Sequence, residues 1–211
     1  MDIPDKLLVK AKRDALRIKT PKILEEGWSY LRHLFKNEGE YFSFLENLSQ
    51  DEYEKFLYTI FFYWAHDLYR IVREKESFNI DGFMYQITLS ITEYLSNGKS
   101  PKEKVRKFIG YFSSEACKKL NKAIIAHRIK NTTQLNLQFW EILYDMRNQF
   151  VHEACWFDIP DKNSPSHVFI SLSKHNSIEY VVEAKIRFQE YLKFFWEAYL
   201  NYFGYKKTKI K

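Results

Sequence analysis

Cysteine is nearly absent from this chain. Its 211 residues hold two, Cys117 and Cys155, with no CxxC pair, which excludes a disulfide framework and a cysteine-rich zinc site. A reducing compartment, the cytoplasm, is the expected location. Glycine (6) and proline (5) are scarce as well, against usual shares of about 7% and 5%, and this argues against a turn-rich all-β sandwich. No stretch of about 18 apolar residues occurs, so no membrane-spanning helix is expected. Met1 to Lys19 is charged throughout, and its longest apolar run, Leu7–Leu8–Val9, is too short for a secretory signal. The motifs HExxH, GxGxxG, GxSxG and the phosphate-binding P-loop are also missing. Of the six histidines, His66 sits beside Asp67 with Arg70 four residues on, and His33 and His127 lie among basic neighbours. His167 and His175 have no Cys or carboxylate at ligand spacing. No metal ligand set and no cofactor are expected.

What the chain has in quantity is aromatic residues: 18 Phe, 15 Tyr and 5 Trp, within a hydrophobic content of 45%. A disordered segment is excluded, because such chains are poor in the apolar surface that offsets ordering. The excess points to an aromatic contribution to an interface between two copies, beyond what one core needs. The run from Tyr58 to Trp64, at helical spacing, reads as core or dimer interface in preference to a base-stacking surface. The net charge of +6 is unevenly placed. Residues 98–130 carry ten basic and two acidic side chains, net +8, whereas 37–97 carry four and eleven, net −7. The basic block has the sign to meet a polyanion, with Lys118, Lys119 and Lys122 as candidate RNA contacts. The alternative is a solvated helix face. Lys6 to Lys22 is a basic amphipathic segment, expected to dock on the bundle or touch RNA phosphate.

Apolar residues recur every three or four positions over most of the length. Phe56, Leu57, Ile60, Phe61, Trp64, Leu68, Ile71 and Val72 predict a helix over 52–73, and Phe83, Ile87, Ile91 and Leu95 predict the next, starting at Asp81 and stopped at Asn97–Gly98. Ser100–Pro101 opens another helix, and Ser113 or Ser114 opens a further one expected to run through Leu120, Ile124 and His127. Thr132 or Thr133 is the expected cap of a long helix carrying Phe139, Trp140, Leu143, Phe150 and Val151. The segment from Asp158 to Ser166, with Pro160 and Pro165, reads as a loop. Strict alternation at Val168–Ile170–Leu172 and Ile178–Tyr180–Val182 then predicts a β-hairpin over 166–182. Helical spacing returns from Glu183 and ends at Gly204, before a basic tail over 205–211. The expected architecture is all-α, one domain over 1–211. It comprises a helical extension at 1–50, a bundle, and one small hairpin before the C-terminal helix.

One constellation has chemistry in it. Within Asp145–Met146–Arg147–Asn148–Gln149–Phe150–Val151–His152–Glu153, Asn148 and His152 are separated by about 40° around a helix and share a face. Asp145 lies on that face one turn earlier. Arg147 is about 140° from His152 around the axis, within reach of the same surface by its long side chain. The set suits RNA transesterification. Histidine titrates near neutrality and serves as base or acid, while a permanently charged guanidinium binds phosphoryl oxygens in pairs. Asn148 has the groups to donate to phosphate or to fix the imidazole tautomer. The structural alternative is that Arg147 pairs with Asp145 or Glu153 and that His152 is a core histidine.

Arg147–Asn148–Gln149–Phe150–Val151–His152 resembles the Rx4–6H motif of the HEPN superfamily in its common RNxxxH form. That resemblance implies a compact HEPN-like helical bundle and a metal-independent endoribonuclease acting on single-stranded RNA or tRNA loops. Arg147 and His152 would be catalytic and Asn148 would support them. It further implies a homodimer whose composite active site joins Arg and His across a two-fold axis, and a toxin, abortive-infection or antiviral role. A neutralising antitoxin or regulator would be a partner. Toxins of this superfamily that are silenced by AMP attachment carry a Tyr two residues after the His. Ala154 stands there, which makes that mode of control doubtful. The same scaffold also implies an alternative, a non-catalytic RNA-binding or protein-interaction module.

Overall fold

The computed structural model describes residues 1–11, 14–74, 81–129, 133–153, 158–160, 167–175 and 178–205, with side chains except at 14–17, 69–83 and 149–179. In chain order the helices are α1 (Asp5–Lys10), α2 (Asp14–Leu31), a 3-10 turn at Arg32–Leu34, α3 (Glu38–Asn47), α4 (Gln50–Glu74), α5 (Asp81–Leu95), α6 (Pro101–Ile109) and α7 (Ser114–Ala123). Strand β1 (Ile124–Arg128) precedes α8 (Phe139–Glu153), and β2 (Asp158–Pro160), β3 (His167–His175) and β4 (Ile178–Ala184) precede α9 (Phe188–Tyr202). The chain is therefore mostly helical, with one antiparallel sheet. Among the described residues no helix is long and apolar enough to cross a membrane.

The residues form two compact units, one of Met1–Tyr69 with Tyr199–Lys211 and one of Arg70–Ala198. In the first, Tyr41, Tyr53, Phe56 and Tyr199 are fully buried. The Tyr53 hydroxyl donates to the Leu7 carbonyl at 2.7 Å, and this anchors α1. Lys10 donates to the carbonyls of Leu45, Glu46 and Leu48 at 3.1, 3.0 and 2.6 Å. A cation thus satisfies the orphan carbonyls at the C-terminal end of α3. Lys6 pairs with Glu46 at 2.5 Å, so the start of the basic N-terminal segment docks on protein, one of its two expected fates. Burial pushes the Lys10 ammonium below its ordinary value, against the pull of Glu46 and Glu52.

The second unit is built round α5. From Met84 to Leu89 every residue of that helix is buried, as expected of a helix surrounded by protein. Tyr85 meets Phe188 and Tyr191 edge-on or tilted, with ring centroids at 4.9 and 4.7 Å. Thr88 and the Tyr191 hydroxyl share a hydrogen bond of 3.0 Å. Local signals set α6 and α7: Ser100 Oγ accepts from Glu103 N–H at 3.2 Å while Glu103 reaches back one residue past the cap to accept from Lys99 N–H at 2.8 Å, a variant of the capping box. Ser113 caps α7 through Ala116 N–H at 3.1 Å. Gly204, at φ 80°, ends α9 in the left-handed region that favours glycine. Aromatic rings fill both cores, and Tyr58, Tyr94 and Tyr111 are the described aromatics that are well exposed. The aromatic count therefore no longer argues by itself for a second copy.

The hairpin forms as the alternation predicts, β3 against β4, and two further strands extend it to the order β1-β4-β3-β2. Both are corrections to the sequence reading. The helix from Ser114 stops at Ala123 and does not continue through His127. Ile124–Ile125–Ala126 instead pair with Ala184, Glu183 and Val182 of β4. A short apolar run with two β-branched residues fits either element, and the open edge of β4 decides for strand. Asp158–Pro160, read as loop, is the outer strand beside β3, where a proline is tolerated because an edge residue needs no inward donor. The helical spacing read from Glu183 also starts late: Glu183 and Ala184 belong to β4, and α9 begins at Phe188.

Candidate active site

Thr133 does not cap α8, which starts six residues later, and Thr132 lies outside the described residues. Thr133 lies in an extended return beside β1, where Arg128 N–H donates to its carbonyl at 2.9 Å and Leu135 N–H donates to Ala126 at 2.8 Å. The helix begins only at Phe139, whose N–H donates to Asn121 Oδ1 of α7 at 2.8 Å. The Asn121 amide nitrogen donates to Gln138 Oε1 at 2.8 Å, and Glu141 accepts from Gln138 N–H at 3.1 Å. The cap is thus supplied across space by α7 as well as locally.

Buried Ile142, Leu143 and Met146 hold α8 in the unit, which leaves Tyr144, Asp145, Arg147 and Asn148 half-buried beside them. Arg147 pairs with neither Asp145 nor, within the described side chains, any carboxylate of its own helix. Its Nη2 donates to Glu93 Oε2 of α5 at 3.1 Å, and its Nη1 donates to Asn148 Oδ1 at 3.2 Å. The Arg147 and Glu93 side chains keep 21% and 15% of their exposure. This is an interior-facing ion pair and not a solvated one. Asp145 accepts from the Tyr180 hydroxyl of β4 at 3.1 Å. His152 lies in α8, five residues beyond Arg147; its side chain, like those of Glu153 and Cys155, falls outside the described residues.

Polar atoms of this pair and of α5 beyond it are left over. Arg147 Nε, Glu93 Oε1, both amide atoms of Gln86 and the Ser96 hydroxyl are buried without a hydrogen-bond partner among the described residues. Gln86 and Glu93 stand two turns apart on one side of α5. Buried orphan donors and acceptors are costly and are disproportionately found where a structure serves a function. Burial pushes the Glu93 carboxyl above its ordinary value, opposed by the positive charges of Arg147 and Lys104. Glu93 is a residue that sequence reasoning missed. It stands in the last turn of the otherwise largely apolar helix α5, whose other acidic residue, Asp81, is its first, and its role becomes readable only once its partner is known.

Lys118, Lys119 and Lys122 are all exposed on α7. Lys119 is nevertheless engaged: it pairs with Glu190 of α9, and its ammonium lies 5.4 Å from the Phe194 ring centre. His127 Nε2 lies 3.4 Å from Glu183 across the β1–β4 pair. In the aromatic run of α4, Tyr63 is buried while Tyr58, Phe61, Phe62 and Trp64 keep part of their surface. Among the described residues no group of three or more His, Cys, Asp or Glu side chains is placed to hold a metal ion. Compared with models of known protein families, with curated proteins and with solved structures, the chain has no match.

Proposed function

We propose that this protein is a HEPN-type, metal-independent endoribonuclease that cuts single-stranded RNA or tRNA by 2′-OH transesterification. The observation that carries the reading is Arg147. Its guanidinium is held by Glu93 of α5 and by Asn148 of its own helix, which also carries His152. In this mechanism His152 removes the proton from the ribose 2′-OH, and the 2′-oxygen attacks the phosphorus. Negative charge then grows on the phosphoryl oxygens, where a fixed guanidinium stabilises it without reorganising. The 5′-oxygen leaves with a proton from a second acid, supplied by His152 of a second copy in a composite two-fold site. The Asn148 side-chain carbonyl accepts a hydrogen bond from Arg147 Nη1, so Asn148 positions the guanidinium and its amide nitrogen is left to donate to phosphate. A cytoplasmic toxin, abortive-infection or antiviral protein, restrained by an antitoxin or regulator, is the setting that goes with such chemistry.

The test is incubation of purified protein with labelled single-stranded RNA and bulk tRNA in excess EDTA, beside His152→Ala. Cutting that leaves 2′,3′-cyclic phosphate ends and falls by about 10²–10⁴-fold in the variant is expected for loss of a general acid–base. Cutting by the variant at the wild-type rate would overturn the assignment. A second reading, a non-catalytic module that binds RNA or a protein, is favoured by one observation. An arginine already paired to a buried-side carboxylate at 3.1 Å is also what a structural arginine looks like. Salt-dependent RNA binding without scission would decide for that reading.

A further inference from the structure

A groove of about 670 Å³ opens between α6 and the start of α8, within the range of small-ligand clefts, about 300–1,000 Å³. Trp140 forms one wall, half-buried with part of its ring surface free, and Ile109 adds apolar surface. Lys102 Nζ stands 6.0 Å from the Trp140 ring centre. Two carboxylates share the lining, but both are spoken for. Glu103 is held below the usual carboxylate range by the Lys99 N–H and the Lys107 ammonium, the latter at 3.2 Å. Glu141 accepts from the Gln138 N–H at 3.1 Å and faces Lys102 at 3.9 Å. Arg106 is exposed and forms no ion pair within 4 Å among the described residues, although its charge helps to hold Glu103, one turn before it, ionised. Gln138 has its carbonyl engaged by Asn121, and its amide nitrogen is left to donate.

The groove lies in line with Arg147, its Trp140 about 120° around the axis of α8 from His152. Trp140, Tyr144 and Arg147 follow one another at i, i+4 and i+7 along α8 and share one stripe, with Trp140 about 10 Å from Arg147 along the axis. We propose that Trp140, with Arg106 and Lys102, is a nucleotide subsite for single-stranded RNA, stacking a base beyond the two nucleotides that flank the linkage presented to Arg147 and binding its phosphate. The inference rests on the ribonuclease reading for its direction along α8. Its physical basis is that a flat aromatic face accepts any base, while a guanidinium beside it takes the phosphate, as in sequence-tolerant single-strand binders.

The experiment compares wild type with Trp140→Ala, Trp140→Phe and Arg106→Glu in EDTA, on a long single-stranded RNA and on a dinucleotide. With the long RNA, Trp140→Ala and Arg106→Glu should each raise KM about tenfold at nearly unchanged kcat, and Trp140→Phe should recover most of the loss. The dinucleotide, too short to reach the groove, should be cut equally by all four proteins. Equal losses on both substrates, or no loss on the long RNA, would overturn the subsite. Should wild type cut neither substrate, the ribonuclease reading falls, and the subsite is judged by affinity for the 2′-O-methylated long RNA. About tenfold weaker binding by Trp140→Ala and Arg106→Glu sustains it. Unchanged affinity, or no RNA binding by any of the four, sinks it and leaves the groove to a protein partner.

Discussion

Glu93 of α5 lies 3.1 Å from the guanidinium of Arg147 on α8, 54 positions later in the chain. With 15% and 21% of their side-chain surface exposed, each leaves the other in a poor environment if removed. Glu93→Gln keeps the shape and removes the charge. Gln still offers Arg147 an acceptor and burial already disfavours the Glu93 charge, so this variant should keep its urea midpoint, whereas Glu93→Ala, which leaves Arg147 Nη2 unpaired, should lose about 1–3 kcal/mol at constant m. If the ribonuclease reading holds, kcat should fall while KM for RNA changes little, because Glu93 acts through Arg147 and touches no substrate. A wild-type midpoint in Glu93→Ala would show that the pair carries no energy.

The same carboxyl predicts a pH dependence. Burial raises the Glu93 pKa above its ordinary 4.5 despite Arg147 and Lys104. Between 4.5 and the raised value the folded state therefore binds more protons than the unfolded one, so this group's contribution to stability falls as pH rises through that window. Denaturation at a series of pH values starting from 4.5 should show this slope in wild type and its loss in Glu93→Gln. An identical profile in the two proteins would contradict the assignment.

Asn121→Ala should shift the start of α8. It deletes the acceptor for the Phe139 N–H and the donor to Gln138, and loss of a helix N-cap costs about 1 kcal/mol. Hydrogen exchange of the amides at the beginning of α8 should accelerate more than that of α5. Uniform acceleration would mean that Asn121 supports the whole unit and not this helix end.

The lysines of α7 should not be equivalent toward RNA. Lys119 is already neutralised by Glu190, whereas Lys118 and Lys122 are exposed. Replacing Lys118 and Lys122 by Glu should weaken binding and flatten its salt dependence, by about 0.7 in log–log slope for each lost phosphate contact to a single strand. Lys119→Ala should leave that slope unchanged. Equal effects at all three positions would return α7 to a diffuse electrostatic role.

Much of this architecture is determined by neighbours in the chain. Apolar spacing places α4, α5, α6 and α9 to within a few residues, and Ser100 with Pro101 and Ser113 mark helix starts, because caps and amphipathic faces are decided over one or two turns. Alternation along 168–182 is equally local, and the hairpin follows from it. The RNxxxH segment is legible as a helix with Asn148 and His152 on one face for the same reason. Tertiary structure decided the rest. Ile124–Ile125–Ala126 becomes a strand only because β4, some sixty residues on, offers an edge. The first turn of α8 waits for Asn121 of another helix. Arg147 has two carboxylates nearby in sequence and takes neither Asp145 nor the described alternatives on its own helix. It takes Glu93, because a guanidinium at the margin of a core pairs with the charge facing it in space. Periodicity reports which side of an element is buried, but it carries no information about what that side meets.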